Sequence, residues 1–198
     1  SIDGTPYSVM GEAGKIGLEF PEHQVWSPET PSLYVLRAEL VHGDQTVDTK
    51  TVRFGMREFT VKENRFYLNN HPIFIKGVIH DAAYPRPMST AGIEELVRKE
   101  LELAKEAGFN LIRLRSKTAP RILLDMADEL GLLIYEEPPI GWIVKSQWLQ
   151  ERCEREVREM VLRDRNHPSV VMWGILNETG NAGHVTRGGV QSLKDDLC

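Results

Sequence analysis

The segment HPSVVMWGILNETGN, residues 167–181, ends an apolar run with an Asn–Glu pair. A carboxyl group at the end of a buried strand is partly desolvated, which raises its pKa and keeps it protonated near neutral pH. A general acid needs that property. Glu178 is therefore the candidate catalytic residue. Asn177 beside it can both donate and accept hydrogen bonds, so the pair suits a hydroxyl-rich ligand such as a sugar.

The elements that must position this pair alternate between strand and helix. Hydrophobic periodicity predicts strands at 73–78, 110–115, 132–136 and 170–175, with helices at 92–108, 120–131 and 148–165 between them. This alternation is typical of parallel βα units. No glycine-rich phosphate fingerprint follows any of these strands, which favours a barrel over a dinucleotide-binding fold. A complete (β/α)8 barrel needs about 250 residues, so residues 63–198 are expected to form roughly half of one.

The preceding region has a different pattern. Residues 33–41 and 46–54 alternate with period two and are joined by HGDQ, which predicts a β-hairpin. Prolines among turn residues further upstream indicate edge strands and loops. Residues 1–62 are therefore expected to form a partial β-sandwich, with fewer strands than the roughly seven of a complete one.

Composition excludes several classes of protein. The 198 residues are 41% hydrophobic and 27% charged with a net charge of −5, which is ordinary for a globular protein and argues against nucleic-acid binding. No apolar stretch approaches the roughly 20 residues of a membrane span. The polar N-terminus shows no signal peptide, and the cellular compartment stays open. Six scattered histidines lack metal-ligand spacing, so no metal is expected. No other cofactor is expected either.

The ends of the predicted strands supply further candidates, because the active site of a (β/α)8 barrel lies at the carboxyl ends of its strands. Loops are commonly polar, however, so any single position is explained equally well without function. Trp142 and Trp148 follow the third strand, and either could stack on a sugar face, although packing within a loop explains both at least as well. The other candidates are His80 and Asp81 after the first strand, Arg113 to Lys117 around the second, and Glu136 and Glu137 after the third.

Four stretches resemble glycoside hydrolase family 2, the family of β-galactosidases, β-glucuronidases and β-mannosidases. RDRNHPSVVMWGILNETGN resembles its acid/base segment, and PRILLDMADELGLLIYEEPP its third barrel strand. VWSPETPSLYVLRAEL with TVRFGMREFTV resembles the end of its immunoglobulin-like sandwich, and FYLNNHPIFIKGV the entry into its barrel. The resemblance runs in order from about residue 24 to 181. It implies the end of an immunoglobulin-like β-sandwich at 1–62 and the N-terminal half of a TIM barrel at 63–198.

The resemblance implies retaining hydrolysis of a β-glycoside. Glu178 would protonate the leaving oxygen and then act as base, while Asn177 would hold the hydroxyl next to the reacting carbon. Substrate binding would fall to Asn177 with His80, Asp81, Arg113, Glu137 and Trp142. The family's nucleophile lies on a later strand that this sequence does not contain, so the isolated chain is expected to be inactive. The segments IHDAAYP and RSKTAP depart from the family pattern, and no particular sugar is assigned.

Alternatives remain at this point. Glu136 or Glu137 could serve as the nucleophile, although orienting the site or binding a hydroxyl is the favoured role. The chain could instead be a non-catalytic carbohydrate-binding or interaction module with a truncated barrel. Two half-barrels could also associate through their open strand edges as a homo-oligomer. In each enzyme or binding interpretation the expected partner is a carbohydrate, with neither nucleic acid nor membrane.

Overall fold

The computed structural model describes residues 22–82, 93–141, 147–175 and 177. Strands β1 (Tyr34–His42) and β2 (Gln45–Phe54) form an antiparallel hairpin. Its turn contains Gly43 with a φ of 61°, a left-handed conformation that costs glycine little. Strands β3 (Phe59–Lys62), β4 (Arg65–Leu68) and β5 (His71–Ile73) form a second antiparallel sheet. The predicted domain boundary after residue 62 falls in the β3–β4 turn and stays a prediction.

A parallel sheet with helices follows, as the sequence predicts. Its four strands are hydrogen-bonded in the order of the sequence, so that each strand lies next to its successor in the chain. None of the helices in the described part of the chain is both long and apolar enough to cross a membrane. The strands are β6 (Gly77–His80), β7 (Leu111–Leu114), β8 (Leu133–Glu136) and β9 (Val170–Trp173), and the helices are α1 (Ile93–Glu106), α2 (Arg121–Leu130) and α3 (Leu149–Asp164).

The predicted strand at 73–78 is divided between two sheets. The amide side chain of Asn110 replaces strand pairing in the middle of this run. Its Nδ2 donates to the carbonyl of Phe74 at 2.8 Å, and its Oδ1 accepts from the backbone N–H of Lys76 at 2.7 Å. The run therefore ends β5 in the antiparallel sheet and begins β6 in the parallel one.

The two faces of the parallel sheet bury different sets of side chains because strand side chains alternate. Ile112, Leu114 and Ile134 face the helices and join one apolar core with α1 and α2. Leu111 and Leu133 face the other side, which is the barrel interior. The apolar face of α1 enters this core through Ile93, Val97 and Leu101, whereas Leu96 is exposed.

The segment before β1 packs on the barrel at the amino ends of its strands. Trp26 is fully buried, packs with Leu111 and Leu133, and donates its indole N–H to the carbonyl of Asp128 at 2.8 Å. Gly131 ends α2 with a φ of 70°, and a Cβ there would lie 2.4 Å from the carbonyl oxygen of Pro28. A side chain at position 131 would therefore displace the segment at Pro28.

Replacing Trp26 by Phe tests this packing. The variant loses volume from a buried site and leaves the Asp128 carbonyl without its donor, so the free energy of unfolding should fall by roughly 2 kcal/mol. Urea unfolding followed by far-ultraviolet circular dichroism measures the change. Trp148→Phe is the matched control, because Trp148 is exposed and its replacement should cost under about 0.5 kcal/mol. Equal losses in both variants would contradict the assigned role of Trp26.

Candidate active site

Arg113 connects two residues at the carboxyl end of the parallel sheet. It belongs to β7 and points into the barrel interior, as the alternation along the strand requires. Its Nε donates to Glu137 Oε1 at 2.7 Å, and its Nη2 donates to Asn177 Oδ1 at 2.9 Å. Its guanidinium also lies 5.3 Å from the centre of the Tyr135 ring. Side chains from β7, from the end of β8 and from beyond β9 are thereby brought together.

This contact fixes the orientation of the Asn177 amide. A guanidinium can only donate hydrogen bonds, so the oxygen Oδ1 must face Arg113. The amide nitrogen Nδ2 is buried and has no partner among the described residues. A buried donor without an acceptor costs about 1–3 kcal/mol, so an acceptor that arrives with a ligand would be bound favourably.

Glu137 is buried and uses both carboxylate oxygens. Oε1 accepts from Arg113, and Oε2 accepts the backbone N–H of Ser116 at 2.8 Å. Only 1% of the Glu137 surface is exposed, so the carboxylate depends on these donors in place of water. Burial, followed by the nearby Glu137 carboxylate, raises the pKa of the Tyr135 phenol. The phenol therefore stays neutral and donates to the Glu137 carboxylate.

Two glycines let the backbone approach these side chains. A Cβ at Gly174 would lie 2.5 Å from Glu137 Cγ and 2.8 Å from a ring carbon of Tyr135. A Cβ at Gly141 would lie 2.8 Å from the hydroxyl oxygen of Ser116. Sequence analysis missed both glycines, although a glycine within an apolar strand pattern often marks such an approach. It also missed Tyr135, which the two-residue period places on the face of Glu137.

Two other predicted site residues, His80 and Asp81, do not contact Arg113, Glu137 or Asn177 through any hydrogen bond among the described residues. His80 lies on the helix side of β6, where its Nδ1 accepts from the backbone N–H of Ala82 and its Nε2 lies 3.0 Å from Glu100. Asp81 forms an exposed pair with Arg115 at 3.2 Å, at the same end of the sheet as the Arg113 cluster. Glu178 and Trp142 lie outside the described residues. The structure thus brings together Arg113, Glu137 and Asn177 from the predicted set.

A second polar group lies between α2 and the start of β9. Oxygen and nitrogen atoms of Asp125, Asp128 and His167 lie within 4.8 Å of one another, which is close enough to hold a metal ion. Protein donors already occupy this group. Asp128 accepts the backbone N–H of Ser169 and contacts the ring of His167, while Arg53 binds Asp125. These contacts join the strand and helix layers and give the group a structural role.

The described residues form a four-stranded parallel sheet with helices and a buried polar cluster at the carboxyl ends of its strands, an arrangement typical of part of a (β/α) barrel. Comparison with known families makes the assignment specific. Residues 59–190 match the TIM barrel domain of glycosyl hydrolases family 2, and residues 5–57 match a second model of that family. The chain belongs to glycoside hydrolase family 2. The predicted fold, the end of an immunoglobulin-like sandwich followed by a partial TIM barrel, is confirmed.

Relatives of this chain include several glycosidases. A putative β-glucuronidase of Formosa agariphila is 34% identical over 83% of this chain and 16% of its own length. A β-galactosidase of Thermoanaerobacter pseudethanolicus is 33% identical over 78% of this chain and 21% of its own length. The chain thus spans about a fifth of these relatives. The galacturonate-bound β-galacturonidase of Eisenbergiella tayi superposes with a TM-score of 0.80 at 29% identity, covering 91% of this chain and 33% of that one.

The substitution Arg113→Met tests how much the Arg113–Glu137 interaction contributes to stability. It leaves a buried Glu137 carboxylate without its counter-charge, and the free energy of unfolding should fall by about 3–5 kcal/mol. The double variant Arg113→Met/Glu137→Gln removes both charges and should recover more than half of that loss. Urea unfolding of the two single variants and the double variant measures the coupling between the residues.

Arg115→Met is the matched control. Arg115 pairs with the exposed Asp81, and an exposed ion pair contributes about 0–1 kcal/mol. A loss in Arg115→Met as large as that in Arg113→Met would contradict the importance assigned to burial. Failure of the double variant to recover stability would count against a direct Arg113–Glu137 interaction.

Proposed function

We propose that this chain provides the acid/base and sugar-binding half of a retaining β-glycosidase. Membership of glycoside hydrolase family 2 is established above, and the activity of the whole protein is what we infer from it. The proposal rests on one observation, the orientation of the Asn177 side-chain amide. Its amide oxygen is held by Arg113, and its buried Nδ2 has no partner among the described residues. The residue that follows is Glu178.

The arrangement supports a division of roles between neighbouring residues. Asn177 Nδ2 donates to a sugar hydroxyl next to the reacting carbon, where contacts strengthen in the transition state. Glu178 then protonates the leaving oxygen and afterwards removes a proton from water. Arg113 acts through Asn177 by holding its amide, so Arg113 is a positioning residue in this proposal.

Glu137 is better suited to support than to nucleophilic attack. A nucleophilic carboxylate needs an oxygen free to approach the sugar carbon, whereas both oxygens of Glu137 accept hydrogen bonds from the protein. We therefore propose that the nucleophile is a carboxylate of a later barrel strand, as the family resemblance implies. Asp81, His80 and Trp142 remain predicted substrate-binding residues.

The substrate class follows from the relatives. These act, by their names, on β-glucuronides, β-galactosides and a β-galacturonide. We infer that the sugar is a β-linked hexose or hexuronic acid. Binding measurements with sugars of both kinds distinguish between them. Self-association through the strand edges stays a prediction.

Sugar binding by Asn177 can be measured by titration calorimetry. The panel contains glucuronate, galacturonate, galactose, glucose and mannose, together with their lactones. Asn177→Ala should weaken binding of the preferred sugar roughly tenfold, because it removes one hydrogen bond worth about 1.4 kcal/mol. Asn166→Ala is the matched control, since Asn166 is exposed between α3 and β9 at the opposite end of the sheet, and its affinity should not change. Equal affinity in Asn177→Ala and wild type, or no binding of any sugar, would contradict the proposal.

Hydrolysis is a separate measurement. Aryl β-glycosides of the same sugars, incubated with the isolated chain, should release no phenol above the uncatalysed rate, because the proposed nucleophile belongs to a later strand. Release that Glu178→Gln abolishes would show that this chain contains a complete catalytic pair. In that case Glu178 would keep its role, and the assignment of the nucleophile would be wrong.

A further inference from the structure

Glu136, the neighbour of Glu137, is a buried carboxyl group that the proposed function does not use. It lies on the helix side of β8 with none of its surface exposed. Its Oε1 accepts the backbone N–H of Ala119 at 2.8 Å. Its Oε2 is also buried and has no donor among the described residues. An ionised carboxylate with one bare buried oxygen is unfavourable, so its protonation state needs an explanation.

The charged groups that face Glu136 come from α3. Arg163 Nη2 lies 3.5 Å from Glu136 Oε1, but it also donates to Asp164 Oδ2 at 2.6 Å and to the carbonyl of Ala119 at 2.7 Å. Asp164 is fully buried as well. The single positive charge of the Arg163 guanidinium is therefore shared by two buried carboxyl groups. On the other sides of Glu136, β7 and β9 contribute Leu114 and Trp173, which are uncharged.

A proton on Glu136 resolves this imbalance. Burial, and then the negative charge of Asp164, raises the pKa of Glu136 from its ordinary value of 4.5 to about 8. The protonated carboxyl group can donate a hydrogen bond to the Asp164 carboxylate, with which it interacts. The group then carries one negative charge against the one positive charge of Arg163.

We propose that Glu136 is a positioning residue whose proton, shared with Asp164, holds the loop at residues 115–120 against the sheet. We call this segment the β7–α2 loop. Two consecutive carboxyl groups hold it at two points, since Glu137 binds the N–H of Ser116 on the interior side and Glu136 binds the N–H of Ala119 on the helix side. Ser116 has a φ of 50°, an uncommon conformation outside glycine that needs such support.

Loss of the proton changes the balance of charge. The Ala119 N–H alone favours the ionised carboxyl group, but the repulsion between the two carboxylates that would then share Arg163 is the larger effect. In a buried site this repulsion would draw Glu136 away from Asp164, and with it from Ala119, or admit water. The loop carries Arg115, Ser116 and Lys117 to the carboxyl end of β7, next to the proposed sugar site. The effect on the loop does not depend on the proposed function, whereas any effect on sugar affinity rests on it.

Nuclear magnetic resonance of the ¹⁵N- and ¹³C-labelled chain tests the proposal between pH 5.5 and 9.5. The Glu136 carboxyl carbon should titrate with a midpoint near 8, and the Ala119 amide shift should follow it. Protection of the Ala119 amide from exchange, corrected for intrinsic base catalysis, should fall at least tenfold between pH 7 and pH 9. A Glu136 midpoint below 6, or an Ala119 amide that does not respond to this titration, would overturn the proposal.

Substituted variants test whether the transition near pH 8 comes from the shared proton or from a general loss of stability at alkaline pH. Glu136→Gln supplies a permanent amide donor to Asp164, so the loop should stay protected and the transition near pH 8 should vanish. Asp164→Asn removes the neighbouring negative charge, and the Glu136 midpoint should fall by more than one pH unit. Glu159→Gln, the same change at an exposed position of α3, should titrate like wild type. Persistence of the Ala119 transition in Glu136→Gln would contradict the mechanism, and the wild-type carboxyl titration decides if that variant does not fold.

The same proton links stability to pH. Because the pKa of Glu136 is higher in the folded chain than in the unfolded one, the folded state binds more protons between pH 4.5 and about 8. The contribution of Glu136 to the free energy of unfolding should therefore fall as pH rises through that window and level off above it. Glu136→Gln should show a flatter profile than Glu159→Gln in urea unfolding at pH 5.5, 7 and 9. Parallel profiles would contradict the raised pKa.

Measuring sugar affinity at pH 7 and pH 9 distinguishes a failure of the proposed sugar-binding function from a failure of the proposed role of Glu136 in the β7–α2 loop. If the loop contributes to the sugar site, wild type should lose at least threefold in affinity over this range, and Glu136→Gln should lose less. Absence of sugar binding at both values would contradict the proposed function while leaving the amide measurements to judge the loop. Sugar binding that is unaffected by a measured loop transition would restrict the role of Glu136 to the loop itself.

Discussion

The side chains of a β-strand alternate between its two faces, and this constraint determines how the site is built. Glu136 and Glu137 are consecutive, so one must face the helices and the other the barrel interior. Both are almost completely buried. A buried carboxyl group requires a counter-charge, a set of donors or a proton. The chain provides Arg113 and the N–H of Ser116 on one face, and Arg163, the N–H of Ala119 and the Asp164 acceptor on the other.

The amino and carboxyl ends of the barrel strands are held by different kinds of contact. At the amino ends, Trp26, Pro28 and Gly131 pack the segment before β1 against α2, with no room for a side chain at position 131. Arg57 adds hydrogen bonds from its guanidinium to the carbonyls of Pro168 and Val170. At the carboxyl ends, hydrogen bonds between charged and polar side chains replace apolar packing. Stability and chemistry are thus separated along the strand axis, as is common for barrels of this type.

Sequence periodicity predicted the parallel units well, because apolar residues at helical and strand spacing report directly on burial. The β4–β5 turn contains Asn69 and Asn70, both with positive φ, and asparagine is a residue type that tolerates this conformation. The division of the run at 73–78 was not predictable, because it depends on the Asn110 side chain more than 30 residues away. Strand-end position predicted that Arg113, Glu137 and Asn177 would lie together. It could not predict that His80 faces α1, since that depends on the register at which β6 begins.

The proton proposed for Glu136 and the orientation of Asn177 belong to one chain of contacts through β8. Asn177 is oriented by Arg113, Arg113 is held by Glu137, and Glu137 holds the β7–α2 loop at Ser116. Glu136 holds the same loop three residues later at Ala119. A shift of the loop at Ala119 would therefore alter the donor on Glu137 and, through Arg113, the angle at which Asn177 presents Nδ2. Since that Nδ2 is the buried donor without a partner in the described site, the titration of a carboxyl group on the helix side of the sheet should influence hydrogen bonding on its interior side.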